Sequence, residues 1–289
     1  MKIGINLMLW TDDPTDQALW PLFERIRQIG FDGVELPIFS HDQKAWAKLG
    51  RHLDDLGLER TACTVCNAET DPISSDPAIR AAAVQELKAT IDSCAAVGAE
   101  LLCGPLYAAI GRFSGERPTE GEFARAADVV REVAGYADKR NIDLALEFLN
   151  RFEIYLVNHA AEAARLAAAI DQPNVGIHYD TFHAHIEEKD PAAAIAACRP
   201  WLRHVHIAEN DRSTPGRGQV RWDETFDALQ AADYDGWLTI EAFGGSLPKI
   251  AAATKIWRSM FADEMQLAEE GHRFIDREWK KRATTGDAK

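Results

Sequence analysis

The chain has 289 residues, 46% of them hydrophobic, which suffices for one large α/β barrel or for two ordinary domains. Its formal net charge of −14 argues against a nucleic-acid partner, because binding to phosphates requires clustered lysine and arginine. No apolar run approaches the roughly 18 residues of a membrane span, and the first residues lack the features of a secretory signal. These properties predict a cytoplasmic protein that has neither a nucleic acid nor a membrane as its partner.

Eight short apolar runs alternate with longer stretches in which apolar residues recur at helical spacing. Several helix starts carry an Asp followed by a Pro, as at Asp76 and Asp190. The segment after residue 249 predicts a last long helix, followed by a short polar tail over about residues 280–289. The eight apolar runs predict strands at residues 3–9, 33–38, 60–66, 99–104, 142–148, 174–180, 203–208 and 236–242.

Eight βα units without an intervening linker predict a (β/α)8 TIM barrel, with residues 1–289 forming a single domain. A doubly wound open sheet is the alternative, since the alternation of strands and helices is typical of both folds. Five cysteines fall within these elements, and only Cys63 and Cys66 have CxxC spacing. Without a second cysteine pair this spacing does not predict a zinc site, so we interpret all five as reduced core residues.

The last four predicted strands share a pattern of side chains. Successive residues of a strand point to opposite faces. In each of these strands one face is apolar, and the other face ends in an acid or a histidine, namely Glu147, Asp180, His206 and Glu241. A closed barrel brings such residues together at its C-terminal mouth, whereas an open sheet spreads them over roughly 15 Å. The pattern therefore favours the barrel.

These four residues predict a metal site. Three carboxylates that share a half-buried site repel one another unless a cation lies among them. Oxygen ligands with a single imidazole suit Mn²⁺, Mg²⁺ or Co²⁺. Each residue alone could be a helix cap or a core group, but four on consecutive strands favour one shared function. His178 and His204 lie one layer lower, where we expect structural roles.

Four segments resemble the ketose 3-epimerases, the D-tagatose/D-psicose 3-epimerase group of the xylose isomerase-like barrels. They are "ALEFLNRFE", "HYDTFHAHIEE", "HVHIAENDRSTPGRG" and "WLTIEAF". The resemblance covers most of the chain and implies one divalent ion, commonly Mn²⁺, on Glu147, Asp180, His206 and Glu241. It also implies that Glu153, His183 and Arg212 bind the sugar substrate, and that the protein is a homodimer or homotetramer.

Two positions depart from that family. Asn6 stands where an aromatic residue is common, and Ile110 stands where the enzymes that act on D-psicose often carry tryptophan. With Leu106, these residues are expected to line the end of the pocket that holds the far carbons of the sugar. The preferred sugar therefore stays open.

The resemblance implies epimerisation at C3 of a free ketohexose or ketopentose through a cis-enediolate, with Glu147 and Glu241 as the two acid/bases. Alternatives on the same barrel are an aldose–ketose or hydroxypyruvate-type isomerase and a keto-inositol dehydratase. A ketose-phosphate epimerase is a third, because "FGGSLPK" after the last strand lies where barrels often bind phosphate. A sugar-binding barrel without activity is a fourth, against which the paired carboxylates argue.

Overall fold

Within residues 1–286, which the computed structural model describes, eight strands form a closed barrel. Each strand pairs in parallel with its neighbours, and the first closes the barrel by pairing with the last. The predicted TIM barrel is confirmed, and the open sheet is excluded. The strands are β1 Lys2–Asn6, β2 Gly33–Pro37, β3 Glu59–Cys63, β4 Leu101–Gly104, β5 Asp143–Glu147, β6 Val175–Asp180, β7 Leu202–Ile207 and β8 Trp237–Ile240.

An outer ring of helices packs around this barrel, and it closes where the last helix contacts the first. Two short helices, α6 (Thr181–Glu187) and α9 (Pro248–Thr254), follow the C-terminal ends of β6 and β8. No helix in the described part of the chain is both long and apolar enough to cross a membrane. The helices are α1 Trp20–Ile29, α2 Gln43–Leu56, α3 Pro77–Val97, α4 Glu120–Asp138, α5 Ala160–Ile170, α6 Thr181–Glu187, α7 Pro191–Cys198, α8 Trp222–Ala231, α9 Pro248–Thr254 and α10 Glu264–Gly286.

The predicted Asp–Pro helix starts are capped as the pattern indicates. The side chain of Asp76 accepts a hydrogen bond from the backbone N–H of Ala78 at 2.8 Å, and Pro77 occupies the first turn of α3. Asp190 caps α7 in the same way. An accepting side chain satisfies N–H groups that have no partner within the helix, so these residues set where the two helices begin.

Two element boundaries differ from the prediction. The first strand ends at Asn6 rather than at residue 9, because Asn6 Oδ1 accepts a hydrogen bond from the N–H of Met8 at 2.8 Å and starts a short 3-10 turn. The single helix predicted after residue 249 is two helices, since Lys255 takes a left-handed φ of 62° and ends α9. The last helix includes residues 280–286 of the predicted polar tail, and residues 287–289 lie outside the described residues.

Side chains in the barrel divide between two environments. Apolar residues such as Ile177 and Val205 point outward to the helices and are fully buried. His178 and His204 point inward and are register partners on β6 and β7. The next inward pair toward the C-terminal mouth is Asp180 and His206. All five cysteines are buried and unpaired, consistent with the interpretation as core thiols.

Gly104 offers a test of the tight packing at the C-terminal end of the barrel. It has a φ of +129°, and a Cβ added there would lie 2.2 Å from the carbonyl oxygen of Thr64. We expect Gly104→Ala to lower the free energy of unfolding by about 2–4 kcal/mol, because the backbone at residue 104 and the carbonyl of Thr64 must both move. Urea unfolding of the variant and the parent protein measures this difference.

The control is Gly135→Ala on α4, where an added Cβ meets nothing within 4 Å. This change should be neutral or stabilise the protein by up to about 1 kcal/mol, because alanine favours the helix. Equal effects of the two substitutions would contradict the packing seen at Gly104.

Candidate active site

The four predicted ligands converge at the C-terminal end of the barrel. Glu147 and Asp180 are the last residues of β5 and β6, His206 is the second-last residue of β7, and Glu241 directly follows β8. All four are buried, and each offers one ligand atom such that these atoms lie within 4.8 Å of one another. The inward-pointing ends of four consecutive strands therefore form one compact cluster.

The carboxylates of this cluster differ in how strongly they hold a proton. Burial, and then the neighbouring Glu241 carboxylate, raise the pKa of Glu147 well above the ordinary glutamate value. Burial raises the pKa of Asp180 to about 6, although the Arg212 guanidinium opposes it. For Glu241 burial is outweighed by the positive charges of His206 and Arg212, which lower its pKa to about 2. Neighbouring carboxylates with pKa values displaced in opposite directions are typical of acid/base sites.

Arg212 is the buried guanidinium that faces the cluster. Its Nη1 donates to Asp180 Oδ2 at 2.8 Å and to Glu241 Oε2 at 2.6 Å. The guanidinium carbon lies 3.8 Å from the centre of the Phe182 ring, so the charged group also stacks on an aromatic face. The backbone of Arg212 takes a left-handed φ of 61°. These contacts hold the side chain in one orientation at the mouth of the barrel.

The loop that carries Arg212 is organised by the buried carboxylate of Glu209. This carboxylate accepts hydrogen bonds from the backbone N–H groups of Gly216 at 2.9 Å and Val220 at 3.0 Å, and from the indole of Trp222 at 3.0 Å. The carbonyl of Glu209 accepts from the N–H of Arg212 at 2.9 Å. Charge-assisted bonds to one carboxylate thus fix the path of the segment between β7 and α8.

His183 and Glu153 lie beside the cluster and are connected by Asn150. The backbone N–H of Asn150 donates to His183 Nδ1 at 3.0 Å, which makes this nitrogen an acceptor. His183 Nε2 lies 3.1 Å from Arg212 Nη2 and 3.6 Å from Glu147 Oε1. Burial and the nearby Arg212 charge lower the pKa of His183 well below its ordinary value. The side chain of Asn150 also donates to Glu153 Oε1 at 2.8 Å.

The donor set of the cluster fits a divalent ion. Three carboxylates and one imidazole face one another, a combination that suits Mn²⁺, Mg²⁺ or Co²⁺. Nδ1 of His206 is buried and accepts no hydrogen bond from any described residue, while it lies 3.4 Å from Glu241 Oε1. A buried imidazole nitrogen aimed at carboxylate oxygens is the arrangement expected of a metal ligand. This cluster is able to hold one divalent metal.

A cavity of about 290 Å³ adjoins the cluster. Its lining combines charged or imidazole side chains with apolar ones, which suits a small polar molecule that has a hydrocarbon part. The charged and imidazole side chains are those of Glu147, Glu153, His183, His206, Arg212 and Glu241. The apolar lining residues include Met8, Phe39, Val65, Ile110, Leu149, Phe243 and Ile250.

Two residues that were expected to line this cavity lie elsewhere. Leu106 is buried in the core, because a turn after Gly104 directs it away from the mouth. Asn6 is buried inside the barrel, where its Nδ2 donates to Glu35 Oε1 at 2.8 Å. Neither residue is among those that line this cavity, whereas Ile110 does line it. Met8 lines the cavity from the short turn after β1.

The sequence interpretation also missed Glu35. This residue lies in the middle of β2 and is fully buried, and its Oε1 lies 2.6 Å from His206 Nε2. A charged residue between Val34 and Leu36 in an otherwise apolar strand was the available signal. The alternation of faces that identified the four ligands on the last strands, if extended to β2, also points Glu35 inward.

The model of the xylose isomerase-like TIM barrel family matches residues 23–277 of the chain. A ketose 3-epimerase of Arthrobacter globiformis is 34% identical over 281 residues, which cover 95% of this chain and 96% of that protein. A D-psicose 3-epimerase of Ruminiclostridium cellulolyticum is 32% identical over 285 residues, which cover 96% of each chain. A solved structure of an L-ribulose 3-epimerase has a TM-score of 0.94 at 30% identity, and the match covers 99% of this chain and 97% of that one.

The closed barrel and the carboxylate–imidazole cluster at its mouth agree with these matches in defining a sugar isomerase of the xylose isomerase-like class. The chain belongs to the ketose 3-epimerase family within that class. The resemblance noted in the sequence is thereby confirmed, and the protein is an isomerase of the carbohydrate epimerase type.

The cluster leads to a prediction about metal binding and stability. An ion that binds only the folded protein stabilises it, by about 2.7 kcal/mol when the ion is 100-fold above its Kd. For a chain of this size we expect chelation to lower Tm by about 5 °C or more, and Mn²⁺ to restore it. Differential scanning calorimetry with and without the chelator measures the shift.

Asp180→Asn should abolish the response to Mn²⁺, because it removes one charged ligand. Asp143→Asn is the matched control, since Asp143 is a carboxylate at the opposite end of the barrel, beside Arg203. An unchanged Tm on chelation of the parent protein, at a metal content near zero, would exclude the assignment of all four ligands.

Proposed function

We propose that this protein catalyses metal-dependent epimerisation at C3 of a free ketose, through a cis-enediolate and with Mn²⁺ as the preferred ion. The observation that carries the proposal is the pair Glu147 and Glu241, which line the same cavity, Glu147 at the end of β5 and Glu241 directly after β8. Epimerisation needs a base on each face of the reacting carbon, and these two carboxylates supply both. When bound, a divalent ion supplies Lewis-acid polarisation of the C2 carbonyl.

The two glutamates have complementary tasks in this reaction. One carboxylate removes the proton from C3, and the other, in its protonated form, returns a proton to the opposite face. For the reverse epimer the two residues exchange tasks, as microscopic reversibility requires. Arg212 Nη1 contacts Glu241 Oε2 at 2.6 Å and so keeps that carboxylate oriented as its charge changes.

Three neighbouring residues bind and orient the sugar. His183, whose Nδ1 accepts from the Asn150 N–H and whose Nε2 lies 3.1 Å from Arg212 Nη2, binds together with that guanidinium beside the oxygen on which negative charge develops. Arg212 adds a fixed positive charge on the same side. Glu153 accepts a hydrogen bond from a hydroxyl near C1, and its carboxylate is held for this purpose by the side chain of Asn150.

The lining of the cavity favours a free sugar over a phosphorylated one. Arg212 is the one cationic side chain among the lining residues apart from the imidazoles, and two carboxylates already bind it. The segment after β8 contributes Ile250, Ala253 and Thr254 to the cavity, with no lysine or arginine. Recognition of a phosphate group normally uses such cations. The apolar residues of the lining suit the far carbons of an unmodified ketose.

Hydrogen exchange with solvent tests the reaction class. We expect a ketohexose or ketopentose incubated with the Mn²⁺-loaded protein in D₂O to gain deuterium at C3 and to yield the C3 epimer, as followed by proton NMR. Deuterium at C1 without C3 exchange would identify an aldose–ketose isomerase instead. Loss of water from the sugar would identify a dehydratase, and no change in any ketose tested would favour a binding protein.

Replacement of each glutamate tests the two-base mechanism. Glu147→Gln and Glu241→Gln should each lower net epimerisation by ~10²-fold or more, because each removes one base, when assayed with excess Mn²⁺. A remaining base can still exchange the C3 proton on its own face. Solvent exchange should therefore persist with one epimer only, and the preferred epimer should differ between the two variants.

Glu132→Gln is the control for these variants, because Glu132 is an exposed carboxylate on α4 that pairs with Lys88. It should leave the rate unchanged. Near-parental rates in both metal-loaded site variants would mean that the carboxylates only bind metal and that the bases lie elsewhere.

A further inference from the structure

A buried carboxylate that does not line the cavity contacts His206 from inside the barrel. Glu35 is fully buried in the middle of β2. Burial of an ionised carboxylate destabilises a fold unless other groups hydrogen-bond to it or compensate its charge. Glu35 has such partners, since its carboxylate accepts from Asn6 Nδ2 at 2.8 Å and from Thr61 Oγ1 at 2.9 Å. The fold therefore maintains this carboxylate in a defined place and orientation.

The two ring nitrogens of His206 face different groups. Nε2 lies 2.6 Å from Glu35 Oε1, which is a short hydrogen-bond distance. Nδ1 lies 3.4 Å from Glu241 Oε1 and 3.9 Å from Asp180 Oδ2, and it has no hydrogen-bond partner among the described residues. A carboxylate can only accept, so the nitrogen next to Glu35 carries a proton. When the ring is neutral, the lone pair available to an ion is then the one on Nδ1.

We infer that Glu35 is a positioning residue for His206, which it orients with Nε2 protonated so that Nδ1 faces Glu147, Asp180 and Glu241. This inference rests on the metal centre of the proposed function. A carboxylate that accepts from the second nitrogen of a ligating histidine fixes both the ring orientation and the tautomer, and it makes the ligating nitrogen more basic. Glu35 occupies this position relative to His206.

The same contacts connect Glu35 to a second ligand. The side-chain nitrogen of Asn6 that donates to Glu35 also lies 3.5 Å from Glu241 Oε1. Loss of the negative charge at residue 35 thus changes the partner of Asn6 as well as that of His206. The two ligands on β7 and β8 therefore share one support, whereas Glu147 and Asp180 have no described contact with Glu35.

A second metal ion is the competing interpretation of this region, because Glu35, Cys103, His204 and His206 also offer ligand atoms within 4.8 Å of one another. Glu35 Oε2 lies 2.7 Å from His204 Nε2, and Glu35 Oε1 lies 2.6 Å from His206 Nε2. The carboxylate therefore contacts both imidazoles directly. The Cys103 thiol in turn donates to Glu35 Oε2 at 3.3 Å, so it also contacts this carboxylate directly. Direct contact with His206 fits this geometry better than a second ion.

Two measurements on Glu35→Gln test the inference. Titration calorimetry of Mn²⁺ into the metal-free protein should show a Kd raised by about 10- to 100-fold, the usual effect of losing such a support. Proton NMR of ¹⁵N-histidine-labelled, metal-free protein should show a far-downfield N–H resonance from Nε2 of His206, assigned by its loss in His206→Gln. This resonance should disappear or move upfield in Glu35→Gln.

The matched control is Thr61→Val, which removes a hydrogen bond to the other oxygen of Glu35 but not the contact with His206. It should change the Kd for Mn²⁺ by less than ~3-fold and keep the resonance, although both variants lose a buried hydrogen bond. Should Glu35→Gln fail to fold, Glu35→Asp keeps the charge but withdraws the carboxylate, and it should raise the Kd and weaken the downfield shift.

A parental Kd together with an unchanged resonance in Glu35→Gln or Glu35→Asp would overturn the inference. Binding of two ions per parental chain, one of which is lost in Cys103→Ser, would overturn it in favour of the second metal site. If the parental protein bound no divalent ion, the metal centre of the proposed function would fail. The resonance in the metal-free protein would then still decide whether Glu35 orients His206.

Discussion

The structure depends on how four carboxylates are tolerated inside one barrel. Glu35, Glu147, Asp180 and Glu241 are all buried, and the cationic side chain that contacts two of them is Arg212. Like charges at such spacing in a medium of low dielectric repel strongly, so the arrangement requires protons, imidazoles or a cation between them. The imidazoles of His204 and His206 and the guanidinium of Arg212 meet this requirement in part, and the cluster is also able to hold a divalent ion.

Much of the fold and of the cluster was predictable from local patterns. The last four strands have one apolar face and one face that ends in a polar residue, so the alternation of side chains alone predicts where Glu147, Asp180, His206 and Glu241 converge. Their convergence follows from barrel closure, and this pattern of polar strand ends favoured the closed barrel over the open sheet, which the alternation of strands and helices also allows. Substrate roles for His183 and Arg212 came from the family resemblance instead, because these residues lie on a helix and a loop whose positions no strand pattern predicts.

The errors have local physical causes. Asn6 ends β1 because its own side chain accepts a hydrogen bond from the following turn. This local bond competes with continued pairing to the neighbouring strands, and a pattern of alternating apolar residues does not reveal it. Met8, two residues after the inward-facing Asn6, has the same parity and lines the cavity. Glu35 escaped notice because a lone acid in a strand usually faces solvent. Its burial depends on partners that approach from β1, β3 and β7, which are distant in the sequence.

Closure of the barrel between β1 and β8 has a consequence for biosynthesis. Ile3 is the register partner of Leu238, so the first strand made on the ribosome waits for the last strand before its second edge is paired. Until then β1 presents an unpaired edge, a feature that promotes association between incomplete chains. Glu241 is also the last of the four cluster residues to be synthesised, so a metal ion cannot assemble the full site early and guide folding. A nearly complete barrel therefore has to form before all four residues can lie together.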